Sequence, residues 1–494
     1  MLGARAASIT DGNRLQFRAV RQPPRRLARY RDRRMQQLGS TIAANRFGLG
    51  ARPGELASIG GDGRDWLRAQ LKAAPPAIAD AQLSSSAEVL GKAFALQREI
   101  QQARRSGADV QHRLPQLLRP IYTSEATARF AQAVTTDRPL LERLTQFWSN
   151  HFAVSIDKQF MAGLAGSFER EAIRPRVLGN FGDLLVAAEM HPAMLLYLDN
   201  HLSVGPHSPA ALRASRRQRG NRTIGINENL GREILELHTL GVGGGYTQAD
   251  VTSFATVITG WSVGGGNGLF ASGPPGRFVF RPDNHEPGTR TVLGRQYPDR
   301  GYEQGVRVLN DLAQHPSTAR HIATKLARHF IADDPPPAAV ARLTQAFTEF
   351  GGNLPAVYRT LIDLRESWEQ PLAKYKTPGD FIVSSYRGLS LPVDASHGPL
   401  APFELLGQRT WQPGSPAGWP DTSADWDGAS ALLKRLEWAD AVGGRLGSRR
   451  NAAELAPQLL GANLTDATGT AIARAASAQQ AMTLLLAAPE FLRR

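Results

Sequence analysis

At 494 residues, with 42% hydrophobic and 21% charged residues, the chain has the composition of a folded globular protein. No run approaches the roughly 18 consecutive apolar residues of a membrane-spanning helix, and the lack of cysteine excludes disulfides, thiolate metal sites and thiol nucleophiles. The net charge of +14 is concentrated at the start, where residues 1–35 hold ten arginines and two aspartates.

That segment reads as a basic, disordered tail. It has no aromatic interleaving and no amphipathic period, so nucleic acid is not expected as its partner. No apolar h-region follows its arginine pairs. The chain as written therefore reads as cytoplasmic, or as periplasmic or exported if its start is mis-called. Residues 36–494 are expected to form a single α-helical domain.

Along the chain, "SSAEVLGKAFALQREIQQARR" opens with a capping box, Ser85 with Glu88, and continues as a long helix. In "RPLLERLTQFWSNHFAV", Leu140, Leu144, Phe147, Trp148 and His151 follow the 0, 4, 7, 8, 11 spacing of one apolar face. His151 then points into the protein, either as a hydrogen-bonded core histidine or as a ligand or base at the floor of a pocket.

"NENLGREILELHTLG", residues 227–241, places Leu230, Ile234 and Leu237 on a core stripe. Asn229, Glu233 and Glu236 fall beside that stripe, Glu228 and Arg232 form a solvated i,i+4 pair, and His238 falls on the other flank. Carboxylates next to buried leucines are costly unless a cation or metal partners them. Arg232, four residues before Glu236, offers a structural ion pair as the competing explanation.

"TQADVTSFATVITGW" starts with a second capping box, Thr247 with Asp250, and Gly260 is placed to end it. Residues 262–300 interrupt the helices with a glycine-rich loop and then "RFVFRP" and "TRTVLG" around "DNHEPG", the pattern of a small β-hairpin. His285 sits at its turn beside Asp283 and Glu286, as a metal ligand, a base or a turn residue without a task. "PSTARHIATKLARHFIADDPPPAAVARLTQAFTEFGG" reads as two helices, Ser317 capping the first and Gly351 closing the second. Residues 396–428 form a Trp/Pro-rich loop whose Trp411, Trp419 and Trp426 either stack on a sugar or cover the core. Helical patterns resume from Ala429.

Two imidazoles and two carboxylates, His151, His285, Glu233 and Glu236, would suit Zn, Fe or Mn in N/O coordination. No fixed-spacing motif ties them together, no GxSxG elbow is present, and "GVGGGYTQ" follows a helix where a phosphate loop would follow a strand.

Several motifs occur together and in order: "NRFGLG" (45–50), "LTQFWSNHFAV" (144–154), "HPAMLLYLDN" (191–200), "NENLGREILELHTLGVGGGYTQADV" (227–251), "ITGW" (258–261), "FRPDNHEPGTRTVLG" (280–294) and "HPSTARHIATKLARHFIADDPP" (315–336). In these, and in the tryptophan loop, the chain resembles the bacterial family called domain of unknown function 1800, over about residues 40–490. The resemblance implies a mostly helical protein, often exported, whose gene often neighbours one for a sulfatase-like protein. It implies no reaction. Its motifs contain the positions Trp148, Asn150, His151, Asn227, Glu228, Glu233, Glu236, Trp261 and His285.

The expectation is thus a mostly α protein, one large multi-helix domain with a β-hairpin insertion closing over a polar pocket. The function expected is a hydrolase-like, metal-assisted enzyme on a polar, carbohydrate-class substrate. Glu233, Glu236, His151 and His285 would be its acid/base groups or metal ligands, and Asn150, Asn229, Trp148 and Trp261 would bind and orient. The alternative is a non-catalytic binding or assembly partner of a protein encoded nearby.

Overall fold

The computed structural model describes residues 37–78, 82–105, 113–216, 225–266, 271–370, 372–394 and 398–494. The basic tail expected over residues 1–35 lies outside them, as do residues 267–270 of the glycine-rich loop. The mostly α expectation holds. Helix accounts for 64% of the described residues and strand for 4%, so the strands are local features on a helical body. Among the described residues no helix is long and apolar enough to cross a membrane.

Local sequence explains where the helices start. Ser85 and Glu88 exchange hydrogen bonds (Ser85 N–H to Glu88 Oε2, 2.7 Å; Glu88 N–H to Ser85 Oγ, 3.3 Å) ahead of helix Ser86–Arg105. Thr247 and Asp250 do the same for Gln248–Val257. Helix Pro316–Phe330 begins differently from the expectation: its N-cap is His315, whose Nδ1 accepts the Ser317 N–H at 3.2 Å. His191 caps Pro192–Tyr197 in the same way, at 3.1 Å. In both His-Pro pairs the proline takes the first helical position, where a missing N–H costs nothing, and the preceding imidazole reaches the next free donor.

Strands β1 (Trp261–Val263), β2 (Phe278–Phe280), β3 (Arg290–Val292) and β4 (Arg295–Tyr297) form two antiparallel pairs. The segments on either side of "DNHEPG" do not pair with each other. β2 lies on β1, with Trp261 opposite Phe280, and β3 turns back onto β4. Leu293 and Gly294 link β3 to β4 with φ of 50° and 74°, the left-handed pair that a two-residue hairpin needs. Pro282 instead opens a 3₁₀ turn, so "DNHEPG" becomes a wide corner.

The helices enclose two hydrophobic cores. The larger runs from Ile42 to Trp368 and includes Trp411. The second gathers residues from Tyr375 to Leu492 together with Leu49, Phe130, Ala133 and Val134. Helix Arg113–Thr135 joins them, with Leu114, Leu118 and Ala126 in the first core and Phe130, Ala133 and Val134 in the second. The tryptophan loop crosses the same seam, because Trp411 belongs to the first core and Trp426 to the second. Clefts where two packed units meet are common places for ligands.

Candidate functional site

The 227–241 stretch is not a continuous α-helix. Asn229–Glu233 is α-helical and Ile234–Thr239 is a π-helix, in which Leu240 N–H reaches Leu235 O and Thr239 Oγ1 reaches Ile234 O at 2.6 Å. The extra residue in the turn rotates everything after Ile234. Leu235 and His238 become fully buried, while Leu237, expected in the core stripe, is only partly buried. His238 therefore points inward, with Nδ1 2.8 Å from Glu189 Oε1, both side chains at 0% exposure. Neither carboxylate oxygen of Glu189 finds an aligned hydrogen-bond donor among the described residues.

Two histidines cap the carbonyls that the π-segment leaves free. His151 Nε2 lies 3.1 Å from His238 O, and His321 Nε2 lies 3.0 Å from Leu237 O. Gly241, at φ 83°, lets the His321 ring approach, since a Cβ there would sit 2.7 Å from Nδ1. Burial, reinforced by the Lys325 charge, holds His151 well below its ordinary value of 6.5 and His321 at about 4. An unfolded chain would bind protons on these rings that the folded chain refuses. Stability should therefore rise with pH through the window from about 4 to 6.5 and fall as acid is added. Urea melts of wild type and His151→Phe over this window should show a shallower acid loss in the variant. An unchanged slope would reject the assignment.

Glu233 and Glu236 are partly buried neighbours. Burial raises the Glu233 pKa, opposed by His238 and assisted by Glu236. Arg232 is turned to Glu228 (2.9 Å), as expected for a solvated pair, and Glu236 instead accepts from Tyr246 Oη at 3.3 Å. Asn229 is exposed, and its N–H donates to Asn227 Oδ1 at 2.9 Å. Trp148 and Trp261 are both 0% exposed, and the Trp148 indole N–H donates to Tyr358 Oη at 2.6 Å. His285 is buried in the β corner, Nδ1 2.9 Å from Thr259 O and Nε2 3.5 Å from Asp299 Oδ1.

The structure keeps Glu233 and Glu236 together but brings neither His151 nor His285 into a ligand set with them. Among the described residues no group of three or more His, Asp or Glu side chains is arranged to hold a metal ion. Both imidazoles are committed to backbone carbonyls instead.

Asn150 leads to a different place. It grips the tryptophan loop from both sides, Nδ2 donating to Trp419 O at 2.8 Å and Oδ1 accepting from Trp419 N–H at 2.7 Å. Gly418, at φ 83°, makes the approach possible, because a Cβ there would lie 2.4 Å from Asn150 O. Gly418→Ala should cost about 2 kcal/mol or more, combining left-handed strain with the clash. Denaturant melts would test it, and wild-type stability in the variant would refute the packing argument.

The recess beneath this clamp is lined by Asn150, Trp419, Thr377, Gln408, Asp421 and His329. His329 Nδ1 lies 2.9 Å from Asp421 Oδ1, and Nε2 is shielded and has no hydrogen-bond partner among the described residues. Burial holds His329 below its ordinary 6.5 against the pull of Asp421. Burial pushes Asp421 up, but His329, Lys374 and Arg494 outweigh it and hold its carboxyl well below the usual range. Behind the dyad, Asp380 bridges Arg143 (3.1 Å) and Arg494 (2.9 Å).

A buried ion network supports the wall. Arg174 binds Glu142 (2.6 Å) and Glu169 (2.7 Å), all three at most 2% exposed. Glu169 also takes Arg129 at 2.7 Å and the Trp411 indole N–H at 3.2 Å. Trp411 has φ 51°, a conformation costing a non-glycine residue about 1–2 kcal/mol. Its indole bond and the Ile156 N–H donated to its carbonyl at 2.9 Å hold it there.

His329 and Asp421 escaped the sequence reading, although a signal existed. His321, Lys325 and His329 recur every fourth residue in "HIATKLARH", which puts all three on one helix face. Asp421 offered no such pattern.

No curated protein and no solved structure matches the chain. A family model described as "Protein of unknown function (DUF1800)" matches residues 42–493. That span takes in the clamp, the dyad, the π-segment and both cores, and the chain belongs to the DUF1800 family.

Proposed function

We propose that this protein is a hydrolase acting on a polar substrate, with His329 as general base and Asp421 as the carboxylate that orients it. The observation carrying this reading is the dyad itself: His329 lines a recess, its Nδ1 is engaged by Asp421 at 2.9 Å, and its Nε2, shielded in the resting structure, has no hydrogen-bond partner among the described residues, so a small opening of the recess gives water access to it. A neutral imidazole so held takes a proton from water as the water attacks the electrophilic centre of the scissile bond; the aspartate stabilises the imidazolium, which returns the proton to the leaving oxygen as its bond breaks. Burial keeps the ring neutral, the form a base needs. Asn150 acts by holding the loop that carries Trp419 and Asp421. The partly exposed Trp419 ring on the recess wall makes carbohydrate the first substrate class to test.

A second reading keeps the reaction at Glu233 and Glu236, favoured by the raised Glu233 pKa and by Arg232 being turned to Glu228. One screen separates the two. Chromogenic glycosides and esters, and polysaccharides read by new reducing ends, are offered to wild type, His329→Ala and Glu233→Gln. Activity lost in His329→Ala and kept in Glu233→Gln supports the dyad; the reverse pattern moves the reaction to the glutamates. Activity equal in all three rejects both.

A further inference from the structure

A separate groove of about 920 Å³ is lined by the end of helix Ser86–Arg105, the first half of helix Arg113–Thr135, residues 156–159 and residues 398–412. It meets the dyad recess along a common wall, since Phe403, Arg409 and Thr410 line both. Tyr122 braces that wall by donating its hydroxyl to Thr410 O at 3.2 Å. Asp157 and Lys158 carry the groove on into a third, smaller recess that ends at Pro413 and Gly414 of the same tryptophan loop. Three depressions thus border one loop, and the groove adjoins both the dyad recess and the third one.

The groove has two kinds of surface. Ile100, Leu118, Tyr122 and Phe403 offer apolar and aromatic contacts. Arg104 and Arg119 project from its walls, both exposed and neither in an ion pair among the described residues. The other cations there are already matched: Arg113 by Glu99, Lys158 by Asp199 and Arg409 by Glu404. A guanidinium presents a planar fork of donors that fits a carboxylate or a sulfate, whereas aromatic and aliphatic side chains cover the C–H faces of sugar rings.

We propose that this groove binds an anionic polysaccharide, its charged groups on Arg104 and Arg119 and its sugar faces on the apolar wall, which delivers a neighbouring linkage to the dyad recess. The assignment deepens the hydrolase reading and rests on it for the delivery, but not for the binding. Uronate carboxylates and sulfate esters share the chemistry these arginines recognise.

The test is titration calorimetry of the full chain with oligogalacturonate, dextran sulfate and neutral dextran, at low and at raised salt. One or both anionic polymers should bind and dextran should not, with affinity falling steeply as salt screens the contacts. Which of the two binds identifies the anionic group. The double variant Arg104→Glu/Arg119→Glu should lose at least tenfold in affinity, and as both residues are exposed its fold should be unaffected. His329→Ala should bind as wild type does. Binding of dextran as tight as that of the anionic polymers, binding indifferent to salt, or a double variant with undiminished affinity each overturns the proposal. If His329→Ala keeps both binding and activity, the hydrolase reading fails and the groove stands. If activity is lost in His329→Ala and no anionic polymer binds wild type, the groove fails and the hydrolase reading stands.

Discussion

His329→Ala is expected to lower the hydrolytic rate roughly 10²- to 10⁴-fold, the usual contribution of a positioned general base. The substitution removes the only group in the proposal that accepts a proton. It leaves Asn150 on Trp419 and Arg143 on Asp380, so the recess should keep its shape. Asp421→Asn provides a sharper diagnosis. The carboxylate raises the His329 pKa against burial, so its loss should lower that pKa further and move the acid limb of kcat/KM to lower pH. The rate plateau should fall as well, because the imidazolium formed in the reaction loses its counter-charge. An acid limb that stays in place in Asp421→Asn, or moves up, would show that another group is the base.

Arg174→Ala should be the most destabilising single change, at about 3–5 kcal/mol, because it strands Glu142 where water cannot reach it and leaves the buried Glu169 with Arg129 as its one counter-charge. Arg174 makes four hydrogen bonds to Glu142 and Glu169, between 2.6 and 3.0 Å. Burial pushes the Glu169 carboxyl up, yet Arg129 and Arg174 outweigh it and hold it at about 2, below its ordinary 4.5. A depressed carboxylate stabilises the fold above its unfolded value and stops doing so as pH falls through the folded one. Wild type should therefore lose this contribution between roughly pH 4.5 and 2. In Arg174→Ala much of it is already gone at neutrality, so the acid slope there should be weaker. Urea melts at pH 7 and pH 3 would show it, and a loss of less than about 1 kcal/mol at pH 7 would mean that the site relaxes or admits water. Glu169 also holds the Trp411 indole N–H, so activity should fall although Arg174 is no part of the dyad recess.

Much of the fold was legible because it rests on local chemistry. The two capping boxes involve residues three apart, and both formed. The spacing of Leu140, Leu144, Phe147, Trp148 and His151 predicted one buried face, and all five are buried. The same helix shows where such reasoning stops. Glu142 and Arg143 on its other side are buried too, through Arg174 and Asp380, partners 32 and 237 positions away.

The 227–241 stretch shows a second kind of limit. A uniform α-helical turn does not describe its polar residues, because one π-segment rotates everything past Ile234. Glu228 and Arg232, before the change, paired as expected, while His238, after it, turned inward to Glu189. Where a helix departs from α geometry depends on packing and on what satisfies the freed carbonyls, here His151 and His321 from other helices.

By itself, then, the sequence determined the family, the helical class, the two capping-box helix starts and the residues with charge or aromatic surface to spare, because each of these depends on composition or on neighbours within a turn or two. Only the tertiary structure decided which of those residues meet. His329 and Asp421 are 92 positions apart, and Asn150 and Trp419 are 269 apart. Such distances are closed by the packing of two cores against each other, and no local periodicity records them.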